Sequence, residues 1–465
     1  MGRIVIIGGG FAGAAAAIKI IAGSSGRLDL TVVEPRERLG RGIAYATANR
    51  DHLVNGLAGG FGLHPEDPGH LVRWLEEHAE KLGWTPPAGT PCAVSSPPRA
   101  VFGAYVEHEL DRAIASAGER LRFTHLRDRA IDFDGEVVTL ASGARLAADR
   151  IVLATGLFRK EPAFVTRALA QSRAYVRDVF DTDALTSAAG AKHVLLLGSG
   201  LTMLDAVVSL ETRGFRGAYT AVSRRGLLVQ ARREAEPWPD MFADGPLPKT
   251  ARDVLRRVQR ERRQLAANGE DWQRLPPLFR QYAAAIWRQL DTGERAKLVR
   301  HLGSFWNLVQ HRAATPSFAV LDRVRGEGRF QNLAATITAL EPAASGARAT
   351  LRPRGERQAL SLDVDLVVNG LGFEFDWNRL KDPLVRNLVA KGFAVPHPLG
   401  SGVRADPDTL ALVGRDGRVS TRLFAVGHAL RAEMWEASSI REQLDHAIRL
   451  AKVLNRAGLM IGEAA

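Results

Sequence analysis

Residues 3–13 read R-I-V-I-I-G-G-G-F-A-G, a short apolar run followed at once by three spaced glycines. Residues 193–206 read H-V-L-L-L-G-S-G-L-T-M-L-D-A and repeat the same order of parts. In each stretch we expect a buried strand to end in a glycine turn that opens a helix, the context in which such glycines bind a dinucleotide. Two copies in one chain therefore predict a flavin and a nicotinamide, placed so that hydride can pass between them.

The first glycine turn has the stronger pattern. Its first glycine permits a tight turn, its second lets the backbone approach a pyrophosphate, and its third lets the helix pack closely on the strand. Glu34 lies 21 residues after Gly13, at the end of a predicted strand over 28–34, where an acid accepts hydrogen bonds from ribose hydroxyls. A carboxylate there repels a 2′-phosphate, so this half is predicted to bind the ADP part of FAD, with NAD as the alternative. The predicted contacts are Gly8, Gly10, Phe11, Ala12, Gly13 and Glu34.

The second glycine turn has a larger residue where the third glycine would stand, so its pattern alone is weaker. The next predicted strand, over 218–223, is followed directly by two arginines. The planar fork of arginine suits a 2′-phosphate, which favours NADPH over NADH. A solvated strand end is the plainer alternative, because arginine is abundant in this chain. The predicted contacts are Gly198, Gly200, Leu201, Thr202, Arg224 and Arg225.

Composition indicates a soluble globular protein with room for two or three domains, at 465 residues, 46% hydrophobic and 25% charged. No apolar run reaches the roughly 18 residues that a membrane-spanning helix needs. The apolar N-terminus is already explained as a strand entering a phosphate turn and not as a signal peptide, so we expect a cytoplasmic location. Cys92 is the single cysteine, which excludes a dithiol reductase working with its own side chains.

The net charge of +12 is uneven, because residues 223–312 hold 18 Lys and Arg against 10 Asp and Glu. Such a segment suits an anionic cofactor, an anionic substrate or nucleic acid. Residues 253–264 are typical of an amphipathic helix with arginines on its wet face, and no aromatic platform accompanies them. The sequence therefore argues against nucleic-acid binding.

The order of the predicted elements suggests one domain inserted into another. Strand-like segments flank the second glycine turn on both sides, and residues 237–325 have a helical pattern. The fold class predicted is α/β, with two Rossmann-like domains, the NADP domain inserted in a discontinuous FAD domain, and a helical insertion. We expect the FAD domain at 1–165 and 330–465, the NADP-binding core at 166–235, and the helical insertion, a candidate substrate lid, at 236–329.

The chain resembles the bacterial FAD/NAD(P)-binding protein family, two-dinucleotide flavoproteins distantly similar to the flavin-dependent N-hydroxylating monooxygenases. The matching segments span nearly the whole length. They are G-G-G-F-A-G with Glu34, G-R-G-I-A-Y (40–45), P-E-D-P-G-H-L-V-R-W-L (65–75), I-V-L-A-T-G (151–156), G-S-G-L-T-M-L-D (198–205), S-R-R-G-L-L (223–228) and W-E-A-S-S-I-R-E-Q-L (435–444).

The resemblance implies further FAD contacts. A-T-G at 154–156 resembles the segment that leads out of an FAD domain, and F-A-V-G-H at 424–428 stands where many relatives carry a glycine-aspartate pair. His428 replaces that acid here, so a backbone amide at Gly427 or His428 takes over its contact with the ribityl chain. Trp435 and Glu436 are expected to cover the isoalloxazine, with core packing as the alternative for Trp435. The contacts implied are Asn55, Ala154, Thr155, Gly156, Gly427, Trp435 and Glu436.

The activity implied is that of an oxidoreductase: an FAD- and NADPH-dependent monooxygenase that hydroxylates a small polar nitrogenous or aromatic metabolite through a flavin C4a-hydroperoxide. Dioxygen is the second substrate, and no metal or side-chain nucleophile is needed. A reductase that passes electrons to a partner or quinone, and a dinucleotide-binding sensor, stay open as alternatives.

Several aromatic residues are weaker site candidates. His301, Trp306 and His311 are candidates for a substrate pocket, although we favour core or surface roles for them. The ten-residue spacing of the two histidines does not make a helical metal pair. His64 lies in the long loop after Glu34 and could approach the flavin, but a loop histidine is more often solvated.

Overall fold

The computed structural model describes residues 2–186, 190–243, 245–435 and 437–456. The chain divides into two compact units. The first unit comprises Met1–Ala46, Leu57–Phe158 and Glu374–Ala465, and the second comprises Thr47–Gly56 and Arg159–Phe373.

The first part of the chain builds most of the first unit. In chain order its elements are β1 (Gly2–Ile7), α1 (Phe11–Gly23), β2 (Leu28–Val33), α2 (His70–His78), α3 (Arg99–Ala117), β3 (Leu121–Leu126), β4 (Ala130–Phe133), β5 (Val137–Leu140), β6 (Arg145–Ala147) and β7 (Arg150–Leu153). The expected strand at 28–34 is confirmed to within one residue. Between β2 and α2 the chain forms one short 3₁₀ turn, Ala58–Gly60, as expected of the long irregular stretch.

The middle of the chain builds the second unit. Its elements are β8 (Phe158–Arg159), α4 (Arg167–Ala170), β9 (Tyr175–Val176), α5 (Thr182–Thr186), β10 (His193–Leu197), α6 (Leu201–Thr212), β11 (Ala218–Ser223), α7 (Ala251–Ala267), α8 (Leu275–Gln289), α9 (Thr292–Gln310), α10 (Thr315–Gly326), β12 (Phe330–Pro342), β13 (Ala347–Pro353), β14 (Leu360–Val364) and β15 (Leu366–Asn369). The chain then adds β16 (Phe373–Glu374), α11 (Pro383–Lys391), β17 (Ala411–Val413), β18 (Val419–Ala425) and α12 (Ile440–Arg456).

A six-stranded sheet forms the centre of the first unit, in the order β17-β18-β7-β1-β2-β3. β1 pairs in parallel with β2 and β7, and β18 pairs in parallel with β7. The four consecutive alanines of α1 at 14–17 are at most 2% exposed, which lets α3 and α12 pack closely against that helix. A separate three-stranded sheet is formed by β4, β5 and β6.

A seven-stranded sheet forms the centre of the second unit, in the order β14-β13-β12-β11-β10-β15-β9. β10 pairs in parallel with β11 and β15, and β11 pairs in parallel with the start of β12. The rest of β12 turns away and pairs antiparallel with β13. Each unit therefore has a parallel core with a glycine turn after a central strand, which confirms the α/β fold class.

The expected boundary at residue 330 is wrong. Residues 330–373 belong to the second unit, because β12 and β15 pair with β11 and β10, and the chain rejoins the first unit at Glu374. The D-L-V-V-N-G-L-G segment at 365–372 contains β15 and so lies in the second sheet. The first crossing falls after Phe158 and not after residue 165.

The insertion is confirmed as helical, but its last helix, α10, belongs to the parallel fold of the second unit. α10 is the crossover helix that joins β11 to β12 as parallel neighbours, and its Leu321 and Val324 are buried in one core with α6. The segment available as a lid is therefore α7, α8 and α9. Within the described ranges, no helix is both long and apolar enough to cross a membrane.

Candidate functional site

The first glycine turn needs a glycine at its first position. The Gly8 amide donates to the Val33 carbonyl at the end of β2 (2.9 Å), and the φ angle of Gly8 is +105°. A Cβ atom at Gly8 would lie 2.2 Å from the carbonyl oxygen of Ala154. Only glycine satisfies both the left-handed backbone and the close approach of the strand end that carries Ala154.

Gly13 brings α1 against β1. A Cβ at Gly13 would lie 1.9 Å from the Gly8 carbonyl oxygen, whereas one at Gly10 would lie 3.3 Å from the Cα of Gly42. Gly10 caps the helix without a side-chain hydrogen bond. The first-turn amides of α1, at Phe11, Ala12 and Gly13, therefore keep their donors for a ligand. A buried helix N-terminus whose first-turn amides are not capped by a side chain fits a pyrophosphate.

Glu34 holds the shape of this first turn. Its side chain is buried, one carboxylate oxygen accepts from the Gly9 amide (2.9 Å), and the other accepts from the amide and guanidinium of Arg36 (both 3.1 Å). A carboxylate offers about four acceptor sites, so capacity is left for a ribose hydroxyl. The structure thus places Glu34 beside the turn, where the spacing predicted it, and the ribose contact stays a prediction.

The segment after β18 closes over α1. Gly427 opens a 3₁₀ turn, Gly427–Leu430, with φ +72°, and a Cβ there would lie 3.1 Å from the Cβ of Ala12. The Gly427 amide donates to Nδ1 of the buried His446 on α12 (3.2 Å). The structure therefore brings Gly427 to the first turn of α1, and because the Gly427 amide is engaged by His446, the amide contact implied with the ribityl chain stays a prediction that favours His428.

Two histidines near this closing turn are held neutral. Burial, and then the nearby Arg449, lowers the pKa of His446 to about 3. Burial, followed by Arg431 and His446, lowers the pKa of His428 to about 3, and its Nδ1 has no hydrogen-bond partner among the described residues. Sequence reasoning missed His446, since its only signal is an inward position on α12, 19 residues from Gly427.

The second glycine turn repeats the geometry of the first. The Gly198 amide donates to the Val222 carbonyl at the end of β11 (2.8 Å), and the φ angle of Gly198 is +101°. A Cβ at Gly198 would lie 2.7 Å from the carbonyl oxygen of Gly370, after β15. Gly370 has the place that Ala154 has in the first unit, and sequence reasoning missed it because the two segments are far apart along the chain.

Gly200, the N-cap of α6, has no atom within 4 Å of the place where a Cβ would stand. No side chain caps this helix in the described part of the chain, and Leu201 and Thr202 form its first turn half-exposed. In the third glycine position stands the buried Met203. The second turn is therefore open at Gly200, where the backbone would face a phosphate, and filled by a side chain at Met203, where the helix packs on the strand.

A basic cavity of about 560 Å³ lies at the end of β11. Its lining includes five arginines, Arg224, Arg225, Arg300, Arg352 and Arg354, with Glu356 as the acid. Arg225 donates to the carbonyl of His301 (3.3 Å) and lies over the Phe305 ring at 5.1 Å. Arg224 is exposed, and no partner is assigned to it among the described residues. Arg224 is thus the arginine of this pair that is free to bind a phosphate.

The remaining predicted flavin contacts are divided between the two units. Asn55 lies in the second unit, where its carbonyl accepts from Arg232 (3.3 Å), so it does not share a unit with the first glycine turn. Thr155 and Gly156 directly follow Ala154, and Trp435 is half-buried shortly after Gly427–Leu430. Glu436 lies outside the described residues.

The weaker candidates have structural roles. His301 is exposed on α9 and uses its backbone carbonyl, while Trp306 packs edge-on against Phe279 at 5.0 Å. His311 caps the end of α9. His64 is bound to the buried carboxylate of Glu109 (2.7 Å), so it is not a solvated loop histidine.

Part of the chain matches a known protein family. Residues 5–158 match the family described as FAD-NAD(P)-binding. A curated relative is the L-aspartate N-monooxygenase (nitrosuccinate-forming) of Streptomyces davaonensis, 26% identical over 354 residues, which are 68% of this chain and 46% of that protein. The match thus spans less than half of the relative's length.

Solved structures define the fold over the whole chain. The ornithine N-hydroxylase of Kutzneria sp. 744 has a TM-score of 0.61 at 16% identity, covering 98% of this chain and 99% of its own. The L-lysine 6-monooxygenase of Pseudomonas syringae has a TM-score of 0.62 at 18% identity, covering 98% and 100%. The FAD-bound cadaverine monooxygenase of Erwinia amylovora has a TM-score of 0.61 at 12% identity, covering 99% and 94%. The chain has the fold of these flavin-dependent N-hydroxylating monooxygenases.

Proposed function

We propose that this protein is an FAD-dependent, NADPH-using monooxygenase that hydroxylates a nitrogen of a small metabolite. The observation that carries the proposal is the pair of equivalent glycine turns, at Gly8 and Gly198, with an acid after the first and arginines after the second. Two such turns serve two dinucleotides of different charge. The named relatives, which act on aspartate, ornithine, lysine and cadaverine, support nitrogen as the atom that is oxidised.

FAD is assigned to the first unit. The amides of Phe11, Ala12 and Gly13 bind its pyrophosphate, Glu34 accepts from its adenosine ribose, and Gly427 lies where the flavin chain passes α1. When bound, FAD takes hydride from NADPH and activates dioxygen. His428, whose buried Nδ1 has no protein partner within the described residues, supplies a neutral polar atom at the same place.

NADPH is assigned to the second unit. Its pyrophosphate is bound at the start of α6, where Gly200 leaves the backbone open, and its 2′-phosphate enters the basic cavity beside Arg224. Phosphate oxygens and a guanidinium form charge-assisted hydrogen bonds in pairs, which NADH cannot form. The cavity therefore sets the preference for NADPH.

The reaction balances without a nucleophilic side chain. One oxygen atom of O₂ is inserted into an N–H bond of the substrate and the other leaves as water, while NADPH supplies two electrons and a proton is consumed. The single cysteine, Cys92, is buried, and burial raises the pKa of its thiol, so it is not a redox partner. The role of this chain is to bind, orient and exclude water.

The helices α7, α8 and α9 are proposed as the substrate lid, since they exceed what the parallel sheet of the second unit needs. A cytoplasmic location, expected from the sequence, belongs to the same proposal.

The test is a coupled measurement on the FAD-loaded protein. NADPH consumption, oxygen uptake and hydrogen peroxide release are recorded with a panel of amino acids and diamines, and products from ¹⁸O₂ are analysed by mass spectrometry. We expect one substrate to gain one ¹⁸O atom on nitrogen with little peroxide released. Peroxide in stoichiometric yield with every amine would contradict hydroxylation and favour the reductase.

A further inference from the structure

Arg312 is buried and Arg232 is half-buried in the second unit, and neither lines the basic cavity. Arg232 and Arg312 lie on segments that pair through Ala231 and Ala313. The Arg232 amide donates to the Ala313 carbonyl, and the Ala313 amide donates to the Gln230 carbonyl, both at 2.8 Å. Their backbones are thus fixed next to each other.

The partners of these two guanidinium groups are neutral. Arg312 is 6% exposed and donates to the side-chain oxygen of Gln273 (2.8 Å), while Arg232 donates to the Asn55 carbonyl (3.3 Å). The Nε atoms of both arginines are buried, and neither has a hydrogen-bond partner among the described residues. Neither guanidinium has a carboxylate partner within the ranges that the structure describes.

The surroundings add positive charge. Burial, followed by Arg232, Arg280 and Arg233, lowers the pKa of Arg312 to about 10, and Asp271 opposes this effect. Burial and Arg280 also lower the pKa of Arg232. Asp271 is already held by Arg233 through two hydrogen bonds, at 2.6 and 2.9 Å. Asp271, the carboxylate that acts on Arg312 among the described residues, is therefore already engaged by another arginine.

A buried charge without a counter-ion is strongly destabilising, so proteins normally pair it. A guanidinium group is planar and can donate two parallel N–H groups to the two oxygens of a carboxylate. Two guanidinium groups that lack a counter-ion and stand on a fixed backbone are therefore suited to bind the carboxylate of a ligand. The missing counter-ion is therefore an anionic ligand.

We propose that Arg232 and Arg312 form an anion site for the carboxylate of the substrate, so that the hydroxylated amine is an amino acid and not a diamine. This inference rests on the proposed function. The pyrophosphate of NADPH offers similar anionic oxygens, and Val229, three residues before Arg232, is bonded to Ser199 of the second glycine turn (3.0 Å). The experiment must therefore separate the two anions.

The experiment measures binding and not turnover. The FAD-loaded protein and its Arg232→Met and Arg312→Met variants are titrated with succinate, with NADP⁺ and with cadaverine, by calorimetry and by the shift in melting temperature. Arg256→Met is the matched control, since Arg256 is exposed on α7 beside Asp253. We expect succinate to bind the wild-type and control proteins and to lose affinity at least about tenfold in both site variants, with NADP⁺ affinity unchanged.

The variants also report on the site without any ligand. Because methionine replaces an uncompensated buried charge, both variants should melt at or above the wild-type temperature, with wild-type FAD content, which separates loss of the site from loss of the fold. A variant that loses FAD is replaced by Arg312→Lys, which keeps the charge without the fork and should still weaken succinate.

Three other outcomes would overturn the inference, and a fourth would overturn only the proposed function. Equal succinate affinity in all four proteins, or cadaverine binding as tightly as succinate, shows that the pair does not select a carboxylate. Parallel loss of NADP⁺ affinity assigns the pair to the pyrophosphate. If succinate binds through the arginines but no amine is ever hydroxylated, the proposed function fails while the anion site stands.

Discussion

Gly13→Ala is the sharpest test of the first glycine turn. The added Cβ would lie 1.9 Å from the Gly8 carbonyl oxygen, and ordinary van der Waals contact begins at 3.4 Å. The start of α1 must therefore move away from β1 by about 1.5 Å. Hydrogen bonds of about 2.9 Å from the first-turn amides to a pyrophosphate do not survive such a shift.

The expected loss follows from the bonds broken. Two hydrogen bonds to a charged phosphate, at about 1.5–3 kcal/mol each, amount to about 3–6 kcal/mol, or about 10²- to 10⁴-fold in the dissociation constant of FAD. Flavin content per chain, from the absorbance of purified protein, and titration of the apoprotein with FAD measure this loss.

Two other glycines serve as controls for Gly13→Ala. Gly60→Ala lies in the same unit, where an added Cβ meets nothing within 4 Å, and should keep FAD and stability. Gly200→Ala places the same methyl group in the other turn, so it should keep FAD and weaken NADP⁺. A Gly13→Ala protein with wild-type flavin content and affinity would refute the reasoning.

The other predictions concern single side chains. Arg224→Ala should raise the KM for NADPH about 10- to 100-fold and leave the KM for NADH unchanged. Arg225→Ala should have a smaller effect, because its guanidinium group is already bonded to the carbonyl of His301. Equal losses for both coenzymes would exclude a 2′-phosphate contact. Glu34→Gln should lower the free energy of unfolding by about 1–3 kcal/mol and reduce FAD content, because a glutamine side chain cannot accept from both the Gly9 and the Arg36 amides. Unchanged urea denaturation curves would contradict this prediction. His446 and His428 have a pKa of about 3 when folded and 6.5 when unfolded, so stability is full above pH 6.5 and falls below it by about 1.4 kcal/mol per pH unit for each histidine. His446→Gln should therefore remove about half of that dependence between pH 6 and 5, as urea unfolding at each pH would show.

Local patterns predicted the glycine turns well. Gly8, Gly13 and Glu34 could be assigned from the sequence because the strand, turn, helix and next strand follow one another within 34 residues. The partners that complete the turns could not, since Gly370 reaches Gly198, and His446 reaches Gly427, only through folding. The misplaced boundary has the same origin. An alternating strand such as β12 does not reveal which sheet it will join, and the sequence of α10 does not distinguish a crossover helix from a lid helix.

Each unit is built from separate segments of the chain, so the two units are completed at different times during synthesis. The second unit uses Thr47–Gly56 and Arg159–Phe373, so all of its residues have been made once Phe373 is added. The first unit contains the earliest strands, yet β7 lacks its neighbour β18 until Ala425 is made, and Gly427 closes on Ala12 only after that. At about 5–20 residues per second this is a delay of about 3–10 s. The second unit can thus form on the ribosome ahead of the first, so under the proposed function flavin would be acquired as one of the last steps of biogenesis.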